Sequence, residues 1–269
     1  MIILMPMGGL GTRFSSKGYQ LNKAEILTTF RKTVEKLPMV ICALKDIPGS
    51  DTLKNKIICI NRLEHKESGL EQKILDSFPQ AIFIHDHVQL DQAYGCFLAR
   101  EFLDSEEELF VGACDNGFDI DINQFNKLKK EFDAIMISHS NDSNIESNPN
   151  AHSWAKLDKD KKTLLDISFK KIVSNDFMKD HATTGMFWFK SAKTFLKYLE
   201  KMIWKKDTHQ GKFYVDKLLK YYITDKKKVT FFDVKYLCWG TPEDYENYEN
   251  TISYWSNFLK QNKWIKTKK

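Results

Sequence analysis

The sequence predicts an α/β domain in three layers, α/β/α, with a mixed, mostly parallel central sheet. Three observations carry that expectation. Short apolar runs at residues 2–5, 56–60, 81–85, 109–114, 134–138, 186–189 and 229–234 have the length and the Ile, Val and Phe content of buried strands. Amphipathic stretches at 67–78, 91–102, 122–132, 192–204 and 214–223 suit helices, and in the first half they alternate with the strands, as an open sheet covered on both faces requires. The second half is richer in hairpin-like elements, which makes the sheet mixed. With 269 residues, 42% of them hydrophobic, the chain is long enough to bury a substantial core.

The elements follow in order. Residues 2–5 open onto a loop nearly devoid of side chains, Gly8-Gly9-Leu10-Gly11, closed by Thr12 and Arg13. Glycine lets backbone N–H groups approach a ligand closely, successive N–H groups form an anion-binding concavity, and a guanidinium adds bidentate phosphate recognition. The parts suit a polyphosphate. A dinucleotide fingerprint fails, since its third glycine would fall on Phe14, and no Walker loop is present. The run at 109–114 ends in Asp115-Asn116 and delivers a carboxylate to the sheet's carboxyl edge, where a divalent ion is expected. Asp119-Ile120-Asp121 forms a D-x-D sequence that reads as the acidic start of the helix to residue 132. His85-Asp86-His87 reads as a surface turn, because alternate strand residues face opposite sides and cannot easily chelate one ion.

An Asn- and Ser-rich segment at 141–150 reads as an exposed loop. In the stretch 214–223, Tyr214, Leu218, Tyr221 and Tyr222 fall near one face, as packing on a sheet requires. A last helix is expected from Pro242 onward, with Glu243 and Asp244 in its first turn. The scattered cysteines, Cys42, Cys59, Cys96, Cys114 and Cys238, form no C-x-x-C pair and read as reduced thiols of a cytoplasmic protein. No apolar stretch is long enough for stable membrane insertion. The formal charge of +5 is mild, and much of it lies in Lys260, Lys263, Lys266, Lys268 and Lys269 around Trp264, which read as a solvated tail. No nucleic-acid partner is expected, and a homodimer remains open.

The N-terminal pattern resembles nucleotidyltransferases of the sugar-nucleotide pyrophosphorylase type, whose signature is approximately G-G-x-G-[ST]-R followed by a lysine about ten residues on; here Gly8-Gly9-Leu10-Gly11-Thr12-Arg13 and Lys23 supply it. The likeness extends to a branch found in bacterial capsule and surface-polysaccharide loci, P-M-A-G-x-G-S-R-F-x-x-x-G-Y-x-x-P-K. This chain supplies Pro6-Met7-Gly8-Gly9, Arg13-Phe14, Gly18-Tyr19 and Lys23, with Asn22 in place of proline. Cys114-Asp115 resembles the branch's N-C-D-Q, Ser153-Trp154-Ala155-Lys156 its W-S-Y-x-K, Phe169-Lys170-Lys171 its E-K-K, Ala182-Thr183-Thr184-Gly185 its A-T-x-G, and Gly240-Thr241-Pro242-Glu243-Asp244 its G-T-P-E-D. The stretch Leu90-Asp91-Gln92-Ala93-Tyr94-Gly95 matches the base-reading region loosely.

The resemblance implies a GT-A-like, Rossmann-like nucleotidyltransferase fold over residues 1–248, followed by a C-terminal helix and basic tail at 249–269. It implies nucleotide binding by Met7, Gly8, Gly9, Gly11, Thr12, Arg13, Gln92, Gly95 and Asp115, with Arg13, Lys23 and Asp115 acting on the phosphates. Lys156, Lys170, Thr184 and Gly185 are implied for the acceptor. Mg²⁺ is the expected cofactor, held by Asp115 and a second carboxylate. Many relatives carry that carboxylate before the G-T pair, where this chain has Cys238-Trp239. Choline-phosphate cytidylyltransferases place it in a Tyr-x-Asp stretch, here Tyr214-Val215-Asp216, so Asp216 is favoured with Asp233 as runner-up. The implied activity transfers an NMP group from an NTP, CTP favoured, to a sugar 1-phosphate or small phospho-alcohol such as phosphocholine or glycerol phosphate. Pyrophosphate is released, and capsule or surface-polysaccharide precursors are made. A GT-A glycosyltransferase using Asp119 and Asp121, and a non-catalytic nucleotide-binding module, are the alternatives.

Overall fold

The computed structural model describes residues 1–86 and 91–261. A nine-stranded mixed sheet forms the middle layer. The strands Ala81–His85, Lys56–Asn61, Ile2–Pro6 and Leu109–Val111 lie side by side in that order, all parallel. Ala182–Phe189 follows, antiparallel to its neighbours, then Ala134–His139, which pairs in parallel with Val229–Asp233. The hairpin Trp154–Leu157/Leu164–Ser168 joins at Ala182. The expected mixed, mostly parallel α/β sheet is what the chain forms.

The continuous apolar runs are explained by burial on both faces. In Ile2–Pro6, Ile3 and Met5 face one core cluster and Ile2 and Leu4 the other, as the two-residue side-chain period dictates. Each such side chain contributes about 1.5–3 kcal/mol on burial, so a polar residue at any of them is disfavoured.

Several helices differ from the expected limits. The stretch 67–78 is two helices, Leu63–Glu67 and Leu70–Ser77, separated by Gly69 in the left-handed region at φ 78. The stretch 91–102 divides into Gln92–Leu98 and Arg100–Leu103, and 214–223 is a 3₁₀ turn, Val215–Lys217, running into Leu218–Thr224. Met39–Asp46 was not expected as a helix: it is buried almost all round and so shows no polar face to read. The 141–150 segment contains a short helix, Ser143–Ser147, whose cap Asp142 accepts from the Asn144 N–H at 2.7 Å.

Helix Pro242–Gln261 returns to the N-terminal region. Tyr248 Oη donates to the Thr29 carbonyl at 2.6 Å, Glu249 accepts from the Thr29 N–H at 2.6 Å, and Tyr245 Oη donates to the Leu27 carbonyl at 2.8 Å. The rings of Phe14, Tyr19 and Tyr245 meet edge to face. These contacts fix the segment that follows the glycine loop. All five cysteines are free thiols, and among the described residues no helix is long and apolar enough to cross a membrane. His87, Leu90 and the tail residues Lys263, Trp264, Lys266, Lys268 and Lys269 lie outside the described residues.

Candidate active site

Four parallel strands share one carboxyl edge, and the loops leaving it build the site. Beyond the strand ends the ladder continues by one residue: Met7 N–H donates to the Ile60 carbonyl at 2.8 Å, Gly112 N–H to Leu4 at 2.8 Å, and Asp86 N–H to Asn61 at 2.6 Å. Gly11 then turns the chain at φ 61, and a Cβ there would lie 3.0 Å from Lys23 Cβ, so only glycine permits both the turn and the approach of Lys23.

Lys23 Nζ donates to Asp115 Oδ2 at 2.6 Å. Burial alone would lower the Lys23 ammonium, but the Asp115 charge outweighs it and holds the group above the ordinary lysine range. For Asp115, burial pushes upward and Lys23 pulls downward more strongly, so the carboxylate stays ionised. The other end of the chain closes on the same residue. Trp239 N–H donates to the Asp115 carbonyl at 2.9 Å, and a Cβ on Gly240 would lie 3.5 Å from Asp115 Oδ2. Thr241 Oγ1 donates to Asp244 Oδ2 at 2.8 Å, which shapes this second glycine turn.

Two cavities meet at Asp115 and Gln92. The smaller, about 200 Å³, is lined by Met7, Gly8, Gly9, Lys23, Asp86 and Gly95 among others. The larger, about 640 Å³, is lined by Arg13, Lys170, Thr184, Gly185 and Asp216, with His152, Tyr214, Tyr236 and Asp244. Arg13 is exposed and has no ion-pair partner among the described residues. Gly185 sits at φ 82 where the register of Ala182–Phe189 slips between Thr183 and Met186, and Gln92 Nε2 donates to its carbonyl at 3.0 Å. The slip turns Thr184 and Gly185 out of the ladder and into the cavity wall. Lys170 Nζ donates to the Ala151 carbonyl and lies 5.6 Å from the Tyr214 ring centroid.

Asp216 is 5% exposed, and its Oδ1 has no hydrogen-bond partner among the described residues. Burial raises its carboxyl above the ordinary range, against the opposing pull of Ser153 and Lys170. A buried carboxylate oxygen without a donor is costly unless a cation or proton meets it, so the donor set of Asp115 and Asp216 on one cavity suits a hard divalent ion.

Not every expected residue arrives. Lys156 stands outside both cavities, half exposed, with Nζ 3.5 Å from Asp166. Thr12 is exposed and lines neither. Asp233 accepts from Ser138 Oγ at 2.6 Å and Ser140 Oγ at 3.0 Å and pairs with His181 at 2.8 Å, so its oxygens are occupied by protein. The D-x-D pair divides: Asp121 caps Ile122–Glu131 through the Asn123 and Gln124 N–H groups, whereas Asp119 pairs with Arg31 and does not cap. Neither carboxylate lines either cavity.

Three lining residues carried no sequence signal. Asp86, expected at a surface turn, is buried in the wall of the smaller cavity, and His85 pairs with Glu71 at 2.7 Å. His152 is pushed down to about 4 by burial and by His139, and is neutral at pH 7. Tyr236 enters from a strand, Lys235–Cys238, that pairs with Asn116–Asp119 directly after Asp115.

No protein-family model matches the chain, and no curated protein matches it in sequence. Solved structures do match the fold. A nucleoside-diphosphate-sugar pyrophosphorylase from Vibrio cholerae superposes with a TM-score of 0.74 at 15% identity, covering 92% of this chain and 99% of that one. The inositol-1-phosphate CTP transferase from T. maritima gives 0.66 at 18%, covering 94% of each. HddC from Yersinia pseudotuberculosis, complexed with GMP-PN, gives 0.59 at 17%, covering 93% of this chain and 99% of that one. The chain has the fold of nucleotidyltransferase structures, at low sequence identity.

Proposed function

We propose that the protein transfers an NMP group from a nucleoside triphosphate to a phosphorylated small-molecule acceptor and releases pyrophosphate. The observation that carries this reading is the position of the Lys23–Asp115 pair at the junction of two cavities, one under the glycine loop and one large enough for an acceptor. An acceptor phosphate oxygen attacks the α-phosphorus from the larger cavity. A bond forms between them, and the bond from the α-phosphorus to the bridging oxygen breaks, with pyrophosphate taking the electron pair. The nucleophile needs no general base, because a phosphate monoester carries roughly −1.5 to −2 charge near pH 7.

Lys23 meets the charge that grows on the α-phosphate, and Arg13 holds the outer phosphates. Asp115 and Asp216 would hold Mg²⁺, which would supply neutralisation of the phosphate charge. Lys170, Thr184 and Gly185 contact the acceptor. Sugar 1-phosphates and small phospho-alcohols both fit a polar cavity of this size, and the T. maritima neighbour's inositol phosphate is of the second kind. Capsule or surface-polysaccharide precursor synthesis is the role that the motif resemblance supports. A glycosyltransferase using Asp119 and Asp121 is disfavoured, since those carboxylates are engaged outside the cavities.

Steady-state kinetics separate the two cationic roles. Lys23→Ala is expected to lower kcat on the order of a hundredfold with a smaller change in NTP KM, because the α-phosphate gains charge only in the transition state. Arg13→Ala is expected to raise NTP KM chiefly. An intact kcat with raised KM in Lys23→Ala contradicts the assignment.

A further inference from the structure

Helix Ala192–Trp204 buries Phe195, Tyr198, Leu199 and Met202 on one face. At about 100° per residue the opposite face carries Lys193, Lys197, Lys201 and Trp204. Trp204 is 83% exposed, more than any other large apolar side chain among the described residues, whereas Trp154, Trp188 and Trp239 are fully buried. The charge around it is one-sided. Residues 190–228 hold twelve lysines against Glu200, Asp207, Asp216 and Asp225, although the whole chain carries only +5. Three of those carboxylates are engaged elsewhere: Asp207 is taken by Lys217 and Tyr221 Oη, Asp225 accepts from Tyr198 Oη at 2.9 Å, and Asp216 faces the larger cavity. Lys193, Lys217 and Lys220 are paired with Asp104, Asp207 and Asp166, and Lys197, Lys201, Lys205, Lys206 and Lys226 have no ion-pair partner among the described residues.

The helix ends gather these cations. Lys201, Lys205, Lys206 and Lys220 surround an open depression of about 570 Å³ beside Tyr221. Helices Ala192–Trp204 and Leu218–Thr224 are each closed by a lysine in the left-handed region, Lys206 at φ 52 and Lys226 at φ 58. The N–H groups of Lys206 and Asp207 donate back to Ile203 and Met202, and those of Lys226 and Lys227 to Ile223 and Tyr222. Glycine usually occupies the left-handed position of such a closure, because it has no Cβ to clash. Both helices keep a charge where glycine would sit without strain.

We propose that this face docks the protein on an anionic lipid bilayer, with Trp204 seated among the headgroups and Lys197, Lys201, Lys205 and Lys206 against lipid phosphates. An indole has an apolar body and one polar N–H, which suits the bilayer interface. Lysine stems lie along apolar material while their ammonium groups stay at the phosphate level, and a basic cluster is drawn to an anionic leaflet. Nucleic acid is the competing polyanion, but its recognition favours arginine forks and rows of stacking rings. The chain has no arginine beyond Arg100, and Trp204 is the one aromatic residue on the outer face of its helix. The inference is independent of the transfer reaction, since none of the docking residues lines either site cavity.

The test is co-sedimentation of the full-length protein with vesicles of phosphatidylcholine alone and of equal parts phosphatidylcholine and phosphatidylglycerol, at low and high salt. Wild type is expected to bind the mixed vesicles, to ignore phosphatidylcholine, and to be released by salt. Trp204→Ala is expected to lower the partition about tenfold, as for one large apolar side chain withdrawn from the interface. The triple variant Lys197→Gln/Lys205→Gln/Lys206→Gln is expected to lower it on the order of a hundredfold. All four side chains are exposed, so both variants should remain folded. No binding to the mixed vesicles, equal binding to both kinds, or wild-type binding by either variant overturns the proposal. Binding lost only when Lys263, Lys266, Lys268 and Lys269 are replaced by glutamine assigns the attraction to the tail and overturns it too. So does binding of a single-stranded RNA homopolymer, abolished by the triple variant, with no binding to vesicles.

Discussion

Asp115→Asn is expected to cut Mg²⁺-dependent pyrophosphate release at least about a hundredfold, comparable to removing a strong electrostatic stabiliser, with the fold retained. Asparagine keeps the shape of the side chain and removes its charge. That charge does two things at once. In the proposed reaction it supplies a ligand for the divalent ion, and it holds the Lys23 ammonium, 2.6 Å away, against a burial that would lower it. Both effects act on the α-phosphate, so their loss falls on kcat. The backbone around Asp115 is held independently, through the Trp239 N–H and the Asn116–Asp119/Lys235–Cys238 pairing, which explains why the variant should melt as a folded protein. Initial rates with and without Mg²⁺, alongside the melting temperature, make the test. Near-normal turnover contradicts the assignment.

Asp216→Asn is expected to have the second-largest effect, a loss of metal-dependent turnover on the order of a hundredfold at unchanged fold. The buried, unpartnered Oδ1 motivates it. Because burial raises the Asp216 carboxyl, a proton competes with the cation: Mg²⁺ affinity should rise as pH increases through the carboxyl's range, with a proton released on binding. The asparagine variant should lose that pH dependence. Asp119→Asn and Asp121→Ala serve as contrasts. Asp121→Ala should cost about 0.5–2 kcal/mol of stability through the lost cap, and both variants should keep their activity at a temperature where they remain folded. Activity lost only in the Asp119 and Asp121 variants would support sugar transfer instead.

The parts of the site that could be read from sequence are those that local geometry dictates. A buried strand followed by Gly8, Gly9 and Gly11 has few other uses, and an apolar run leading to Asp115 points to the sheet edge, although the strand itself stops at Val111. The sheet was legible for the same reason, since runs such as Ile2–Pro6 are apolar on both faces. What escaped depends on distant partners. Met39–Asp46 is buried nearly all round and lacks periodicity. Asp86 is charged and next to two histidines in sequence, so nothing local signals its burial beside Gly8. Tyr236 reaches the cavity through a strand paired with residues more than a hundred positions earlier. Lys156 illustrates the converse error: it matches a motif, but its ammonium pairs with Asp166 away from the cavity.

The most direct measurement is pyrophosphate release by the wild-type protein, with each NTP set against a panel of sugar 1-phosphates and phospho-alcohols in the presence of Mg²⁺. The expected result is release with at least one pair, dependent on both the phosphorylated acceptor and the metal, and abolished by Asp115→Asn. Tight NTP binding with no release from any acceptor, or sugar transfer from a nucleotide sugar without pyrophosphate, would contradict the account.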